Sequence, residues 1–410
     1  MNGNNINRSQ AQQSLHYFLF DPNIYTSVTL TLQRKSDDLS IEKIKNAVEK
    51  AYTQNETTMS KVVLDNGNAY FENMSETGCK VFVDQRNWLD ILNENQKNTF
   101  KINEGEFIRT FIIDGKEEIS VFIMSHHIVG DGYSQVLFAQ DILNNLAGET
   151  VEYRPLNNQN DEVIPNIKYP FMKKLGIKLL NAQWKKTGKT FTWEDYYDIH
   201  HKFWENRETH ISTTTITEDE LLRMKEESKK LGITMNSYIV AKQLEKNPKY
   251  EIIGIPTSYR GNNRSMANKI AAMKVRCHYN TEASFEENAK TIHAIIKDSI
   301  EDPSKKFFVV KSIELFDPTL IDGGLMAKYA GYKNETAEKM IGAMAMSGEN
   351  KTHLGITNLT NIKLKTEYDS FKVQDVKVTA ASMATTRDVL AVCTFENKMN
   401  LCFSTIEKAN

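Results

Sequence analysis

The sequence predicts an α+β protein with two lobes, each an α/β sandwich. It has 410 residues, of which 40% are hydrophobic and 25% are charged, enough apolar material for more than one core. Strand-like and helix-like segments alternate irregularly, and the sequence has no Gly-rich phosphate loop. A doubly wound nucleotide-binding sheet is therefore disfavoured, and two α+β lobes of similar size are expected.

The first lobe is expected at residues 1–165. It begins with a strand-like run, "YTSVTLTLQ", and an amphipathic helix for which Ser40 is a suitable N-cap. Two apolar runs, "GEFIRTFIID" and "EISVFIMSHH", are joined through Asp114 and Gly115, a pair typical of hairpin turns. The run "YSQVLFAQDILNNLAG" has its apolar residues on one helical face and ends at Gly148. A histidine pair should therefore lie between a strand and a helix.

A connecting segment is expected at residues 166–208, after a polar surface stretch at residues 147–170. Its lysines alternate with apolar residues in "FMKKLGIKLLNAQWKK". This basic helical pattern fits a helix on a membrane surface, a patch that meets anionic phosphates, or a solvated helix face. The aromatic run "WEDYYDIHHKFW" fits either a pocket floor or packing in a core.

The second lobe is expected at residues 209–410. It begins with the strand-like run "HISTTTI" and a helix that starts at a capping box, Thr217 to Glu220. A second helix, the strands "YEIIGIPTSYR" and "KIAAMKVRC", and a helix with the capping signature Ser284 to Glu287 follow. Four closing runs, "HLGITNL", "FKVQDVKVTA", "DVLAVCTF" and "KMNLCFSTI", favour one antiparallel sheet.

Charge and cysteine usage exclude several classes of protein. Lys and Arg total 51 against 53 Asp and Glu, a net charge of -2, so no basic excess is available for a nucleic acid backbone. The polar N-terminus and the absence of any apolar run near about 18 residues predict a cytoplasmic protein without a transmembrane segment. Four cysteines without a C-x-x-C pair predict buried free thiols.

The stretch "SHHIVGDGYS" is the strongest candidate for a site. A histidine whose pKa is near neutrality can take a proton from an alcohol or amine that attacks a carbonyl. Because side chains alternate across a strand, His126 and His127 should face opposite ways, so only one of them lines a given cleft. Asp131 and Gly132 suit a tight turn, and a buried carboxylate there would need a partner. Arg260, at the end of "GIPTSYR", is the candidate partner.

This stretch resembles the HHxxxDG motif of the condensation-domain and chloramphenicol-acetyltransferase-like acyltransferases, which include alcohol acetyltransferases, wax-ester synthases and peptide-synthetase condensation domains. "FKINEGEFIRTFII", "GITMNSYIVA" and "IGIPTSYR" are similar to segments of that superfamily, and the likeness spans nearly the whole chain. In "LGITNL", Thr357 and Asn358 stand where the superfamily commonly has Ser and Asn. The resemblance implies two chloramphenicol-acetyltransferase-like lobes that form a pseudo-dimer with a tunnel at their interface.

The resemblance also implies roles for residues at matching positions. His127 would be the general base, His126 its structural neighbour, and Asp131 a brace paired with Arg260. Gly132 would bring its backbone near the reacting carbonyl. Thr357 and Asn358 would be supporting positions. Ser134, which stands beside the histidines in the sequence, is expected to cap or line the site.

The implied reaction is direct transfer of an acyl group from a thioester to an alcohol or amine. It needs no permanently bound cofactor and no covalent acyl-enzyme. Acyl-CoA is the favoured co-substrate, and an acyl-phosphopantetheine on an acyl carrier protein is the alternative donor. The partners would then be a small-molecule acceptor and, in the second case, a carrier protein.

Other interpretations remain open at the level of sequence. A stand-alone condensation domain would use carrier-bound thioesters, but "GNNRSMANKIAAMKVR" lacks the Gly-Phe element usual in peptide-forming domains. A binding protein of the same fold could have lost the chemistry. His200 and His201, with Glu205 or His210, do not have the spacing of known zinc ligands, so no metal is expected. A serine nucleophile is also not expected, because no G-x-S-x-G elbow occurs.

Overall fold

The computed structural model describes residues 12–156, 165, 167–344, 352–383 and 386–408. In these ranges the chain forms a five-stranded sheet, a six-stranded sheet and a separate two-stranded hairpin. The helices are α1 (Gln12–Phe20), α2 (Ile41–Thr53), α3 (Trp88–Asn95), α4 (Gly132–Leu146), α5 (Phe171–Lys185), α6 (Trp193–Trp204), α7 (Glu218–Leu231), α8 (Met235–Lys246), α9 (Phe285–Glu301), α10 (Pro303–Lys306), α11 (Phe308–Leu315), α12 (Pro318–Tyr329) and α13 (Glu335–Ala343). The strands are β1 (Tyr25–Arg34), β2 (Ser60–Asp65), β3 (Asn68–Asn73), β4 (Lys80–Asp84), β5 (Ile108–Asp114), β6 (Glu118–His126), β7 (Arg207–Ile216), β8 (Ile252–Ser258), β9 (Ile270–Arg276), β10 (His353–Asn361), β11 (Phe371–Ala380), β12 (Asp388–Phe395) and β13 (Lys398–Lys408).

The first sheet has the strand order β11-β1-β6-β5-β4. β5 and β6 pair antiparallel with Asp114 opposite Ile119, which confirms the predicted hairpin. β6 is almost continuously apolar and buried from Val121 onward, as expected for a strand covered on both faces. Its C-terminal end, at His126, therefore emerges from a rigid, central position in the sheet.

The second sheet has the order β7-β13-β12-β10-β8-β9. The prediction of one antiparallel sheet from the last four strands is wrong, because β10 runs parallel to both β12 and β8. β11 moreover leaves this sheet and pairs antiparallel with β1. A strand-like pattern specifies only an extended segment, whereas the pairing direction depends on the connections between strands. β11 lies within residues 209–410 of the sequence but pairs in the first sheet.

Helix starts agree closely with the sequence patterns. Ser40 caps α2 by accepting a hydrogen bond from the Lys43 amide at 3.3 Å. Both predicted capping boxes, Thr217 with Glu220 and Ser284 with Glu287, are formed. Each of these caps depends only on residues three apart, so local sequence is sufficient to predict them.

Two large apolar clusters and one small one form the core of the described residues. In the connecting segment, Trp184 and Tyr196 are buried in the largest of these clusters, so these two aromatic side chains serve packing. Part of the predicted polar connection, residues 157–164 and 166, lies outside the described ranges. In the remaining chain, no helix combines the length and apolar character needed to cross a bilayer.

Candidate active site

The HH-x-x-x-DG stretch forms the junction between β6 and α4. His126 ends the strand, residues His127–Val129 form one 3-10 turn, and Asp131 is the N-cap of α4. The Asp131 carboxylate accepts a hydrogen bond from the Ser134 amide at 3.0 Å, a usual N-cap contact. A Cβ at Gly130 would lie 2.4 Å from the Cβ of Ser134, so only glycine fits at this turn.

Asp131 and Arg260 form a buried ion pair. The guanidinium Nη2 lies 2.9 Å from each carboxylate oxygen, and the two residues are only 2% and 3% exposed. The Lys269 amide donates a further hydrogen bond to Asp131 at 3.0 Å. Arg260 and Lys269 flank the loop between β8 and β9, so this network joins the first sheet to the second. The structure thus contains the ion pair expected from the sequence, and its position makes it a link between lobes.

Arg260 also organises the loop that carries it. Its Nη1 donates to the carbonyl of Ser265 at 2.6 Å, and its Nη2 lies 2.8 Å from the Ser134 hydroxyl. That hydroxyl donates in turn to the carbonyl of Ala267 at 3.0 Å. Because its hydrogen-bonding capacity is used within the turn, Ser134 braces the junction and does not line the cavity described below.

His127 is held at both its backbone and its ring. The side-chain Nδ2 of Asn268 donates to the His127 carbonyl at 2.7 Å, and the His127 backbone amide donates to the Ile24 carbonyl at 3.0 Å. The Phe18 ring of α1 stacks on the imidazole with the centroids 4.9 Å apart and the planes 5° apart. Nδ1 is buried and has no hydrogen-bond partner among the described residues. The ring orientation is therefore fixed mainly by stacking and by the backbone.

The environment of His127 favours the neutral imidazole. Burial lowers its pKa below the usual 6.5, while the His127 carbonyl, the Asp131 carboxylate and the Asn268 side chain oppose that shift. A neutral imidazole has an unprotonated nitrogen that can accept a proton. Near pH 7 the residue can therefore act as a base.

His126 has a different environment. Its Nδ1 accepts a hydrogen bond from the Ile128 amide at 3.1 Å, and its ring meets that of Phe100 edge to face. Burial, followed by the nearby His200 and His127, lowers its pKa far below the usual value. The two neighbouring histidines therefore have different surroundings, as predicted, but the physical reason differs: His126 ends β6 and packs inside the protein, whereas His127 begins the 3-10 turn and faces a cavity.

The cavity lies between the two sheets and has a volume of about 820 Å³, within the size range of small-molecule sites. His127, Asp131 and Gly132 contribute to its wall. The first sheet lines it with residues of β1 and β11, and the second with residues of β8, β9, β10 and β12. Because strands from both sheets form the wall, His127 lies at the interface between the lobes.

Thr357 and Asn358 reach the same cavity from β10. Asn358 accepts a hydrogen bond from the Thr360 amide at 2.8 Å and lies 3.4 Å from the Asn236 carboxamide. A Cβ at Gly132 would be 3.0 Å from a methyl group of Leu359. The absent side chain of Gly132 therefore gives β10 room to approach the start of α4, which the sequence did not indicate.

His200, His201 and His210 lie in different environments. His200 is buried and its pKa falls to about 3 because of burial, whereas His201 is exposed and lies 3.3 Å from Glu205. His210 lies on β7. Across the described part of the chain, no three His, Cys, Asp or Glu side chains converge to hold a metal ion.

Three residues of the site were missed at the level of sequence. Phe18 stacks on His127, Asn268 holds its carbonyl, and the Lys269 amide holds Asp131. The aromatic run "LHYFLF" was the available signal for Phe18, but His127, which Phe18 contacts, is 109 positions away along the chain. The role of Asn268 had no local signal, since it depends on how the loop after Arg260 folds back onto the turn.

Comparisons with known proteins agree at the level of the fold. The trichothecene 15-O-acetyltransferase from Fusarium sporotrichioides superposes with a TM-score of 0.62 at 12% identity, covering 98% of this chain and 90% of that one. Polyketide synthase associated protein 5 from Mycobacterium tuberculosis gives 0.60 at 10%, covering 98% and 94%. The first condensation domain of the calcium-dependent antibiotic synthetase gives 0.59 at 10%, covering 98% and 91%. No family model and no curated protein sequence matches the chain.

The chain has the two-lobed α+β fold shared by condensation domains and chloramphenicol-acetyltransferase-like acyltransferases. Two structural neighbours, an acetyltransferase and a condensation domain, match over nearly its whole length. The resemblance expected from the HHxxxDG stretch is thereby confirmed for the fold. At such low identities the chemistry has to be argued from the residues of this chain.

Proposed function

We propose that this protein is an acyltransferase that moves an acyl group from a thioester to an alcohol or amine, with His127 as the general base. The observation that carries the proposal is the stacked imidazole of His127 in the wall of a cavity formed by both lobes, and burial, which lowers its pKa, supports it. A base at neutral pH must be unprotonated and within reach of the group that it deprotonates. Burial of His127 favours its unprotonated form, and the adjoining cavity has space for an acceptor within reach of the ring.

In the proposed reaction, His127 removes the proton of the acceptor hydroxyl or amine while the acceptor oxygen or nitrogen attacks the thioester carbonyl. The tetrahedral intermediate collapses, the carbon–sulfur bond breaks, and the departing thiolate takes the proton from the imidazolium. The products are the new ester or amide and the free thiol, and no acyl-enzyme forms. The cysteines supply no nucleophile: three are buried, and burial raises the pKa of the remaining half-buried thiol, Cys79, to about 12.

The surrounding groups have positioning roles in this scheme. The ion pair of Asp131 and Arg260 fixes the turn that carries His127. Further hydrogen bonds hold each end, from the Lys269 amide to the Asp131 carboxylate and from Arg260 Nη1 to the Ser265 carbonyl. Phe18 covers one face of the imidazole and keeps its plane constant. The carboxylate therefore supports the base indirectly and is not itself expected to transfer a proton.

The test is turnover by the purified protein with mixed acyl-CoA donors and panels of alcohols and amines, with products identified by mass spectrometry. His127→Ala should lower turnover by about 10²- to 10⁴-fold, the usual contribution of a general base. His201→Ala, which changes an exposed histidine, is the matched control and should leave the rate unchanged. Equal rates for wild type and His127→Ala would refute the role of the base.

A parallel assay identifies the donor. We propose acyl-CoA as the donor because a carrier protein is not required for the chemistry at His127. In the assay, the same acyl group is offered on CoA and on a phosphopantetheinylated carrier protein. A higher kcat/KM with CoA supports this choice. A strong preference for the carrier would reassign the protein to condensation-type chemistry. A tight donor complex without turnover over the whole acceptor panel would show a binding protein instead.

A further inference from the structure

The helix α5 exposes an apolar stripe to solvent. Phe171, Met172, Leu175 and Leu179 are 75%, 73%, 39% and 57% exposed. At about 3.6 residues per turn these positions share one side of the helix. Four large apolar side chains clustered on one exposed face are unusual for a surface that meets only water.

The opposite side of α5 fixes the helix to the rest of the protein. Trp184 is 1% exposed, and its indole donates to the Thr319 hydroxyl at 2.7 Å. The Asn181 side chain donates to the Leu315 carbonyl at 2.8 Å and accepts from the Asp317 amide at 2.9 Å. The stripe is therefore presented on a firmly held helix whose own buried face is already satisfied.

Lysines adjoin the stripe, and α5 contains no acidic residue. Lys174, Lys178 and Lys185 are exposed and form no ion pair with any residue in the described ranges. Two carboxylates on the neighbouring helices are paired with lysines of their own helices, Glu314 with Lys311 at 2.9 Å and Glu335 with Lys339 at 2.6 Å. The surface thus combines exposed apolar groups with uncompensated positive charge.

We propose that this face of α5, defined by the four apolar residues and three lysines above, docks on an anionic membrane surface. Stable attachment to a bilayer surface usually needs both buried apolar area and attraction to anionic headgroups, and this face supplies both. A symmetric dimer through the same face would bring lysines against lysines without any acidic residue of α5 to balance them. Charge complementarity therefore favours lipid over a second copy of the chain.

The position of the face fits such a role. Lys173, at the start of α5, lies with its Nζ 4.9 Å above the ring of Phe308, and both residues line the cavity that contains His127. A docked α5 would hold this side of the cavity near the bilayer. The inference does not depend on the proposed function, because vesicle binding is measured without turnover.

The experiment is cosedimentation of the 410-residue chain with phosphatidylcholine vesicles prepared with and without phosphatidylglycerol, at low and high salt. The wild type should bind the anionic vesicles, and salt should weaken that binding. Each lysine near an anionic surface contributes roughly a fivefold change in partitioning, so Lys174→Gln/Lys178→Gln/Lys185→Gln should weaken binding by about a hundredfold. Phe171→Ser/Leu175→Ser/Leu179→Ser should weaken it by at least about tenfold, from the loss of apolar contact.

Matched controls are available on α7. Lys225→Gln/Lys229→Gln/Lys230→Gln removes three exposed lysines, and Leu222→Ser removes an apolar side chain that is 48% exposed. Both controls should bind like the wild type, and unchanged circular dichroism shows that all variants fold. Failure of the wild type to bind anionic vesicles overturns the proposal, as does equal loss in the α7 controls. The wild type could fail to bind vesicles and instead form a dimer, or bind an acyl carrier protein. If the α5 variants abolished that association, the face would be assigned to protein instead.

Discussion

Removal of Arg260 should destabilise the protein far more than removal of an exposed lysine. Arg260→Leu leaves the carboxylate of Asp131 buried at 2% exposure, with the Ser134 and Lys269 amides as remaining donors. Breaking a buried pair by deleting one partner typically costs about 3 to 5 kcal/mol. Because two amide donors remain, we expect about 3 kcal/mol, a large share of the roughly 5 to 15 kcal/mol by which proteins are stable.

The measurement is urea denaturation followed by tryptophan fluorescence. Lys305→Leu is the control, because Lys305 forms an exposed pair with Asp298 and should cost under about 1 kcal/mol. The double variant Asp131→Leu/Arg260→Leu should be less destabilised than the sum of its single variants, since no unpaired charge remains buried. An Arg260→Leu variant as stable as Lys305→Leu would refute the idea that this link holds the two sheets together.

Three further predictions concern pH and packing. If His127 is the base, the rate should be lost as pH falls through its folded-state pKa. Because burial lowers that pKa, the acid limb of kcat/KM should lie below pH 6.5. An acid limb above pH 7 would contradict the assignment. The pKa of His200 is lowered to about 3 in the folded state, so the unfolded state binds the extra proton and stability should fall by about 1.4 kcal/mol per pH unit below its unfolded pKa of about 6.5. Urea titrations should show a weaker acid dependence in His200→Gln and an unchanged one in His201→Gln, and identical dependence in both would exclude this cause. In Gly132→Ala the new Cβ would lie 3.0 Å from a methyl group of Leu359, and this crowding should cost roughly 1 to 3 kcal/mol in stability. Adding Leu359→Ala to that variant should restore most of the lost stability. A double variant without any recovery would place the strain elsewhere.

Local sequence determined the features that depend on neighbours a few positions apart. The caps at Ser40, Thr217 and Ser284 were predictable because a side chain bonds to an amide three residues ahead. The hairpin at Asp114 was predictable because its turn residues and flanking apolar runs are contiguous. The HHxxxDG stretch likewise predicted a strand, a turn and a helix in that order, and its resemblance to known acyltransferases added the fold.

Apart from the pairing of Asp131 with Arg260, which was expected from the sequence, tertiary structure decided the contacts that join distant segments. The sequence could not reveal that β11 pairs with β1, that β10 runs parallel to its neighbours, or that Phe18 stacks on His127. Extended and helical patterns are local, whereas the partners of a strand or ring are chosen by the packing of the whole chain. The sequence therefore determined which residues could carry chemistry, and the three-dimensional packing decided which of them share a cavity and which, like His126, are buried beside it.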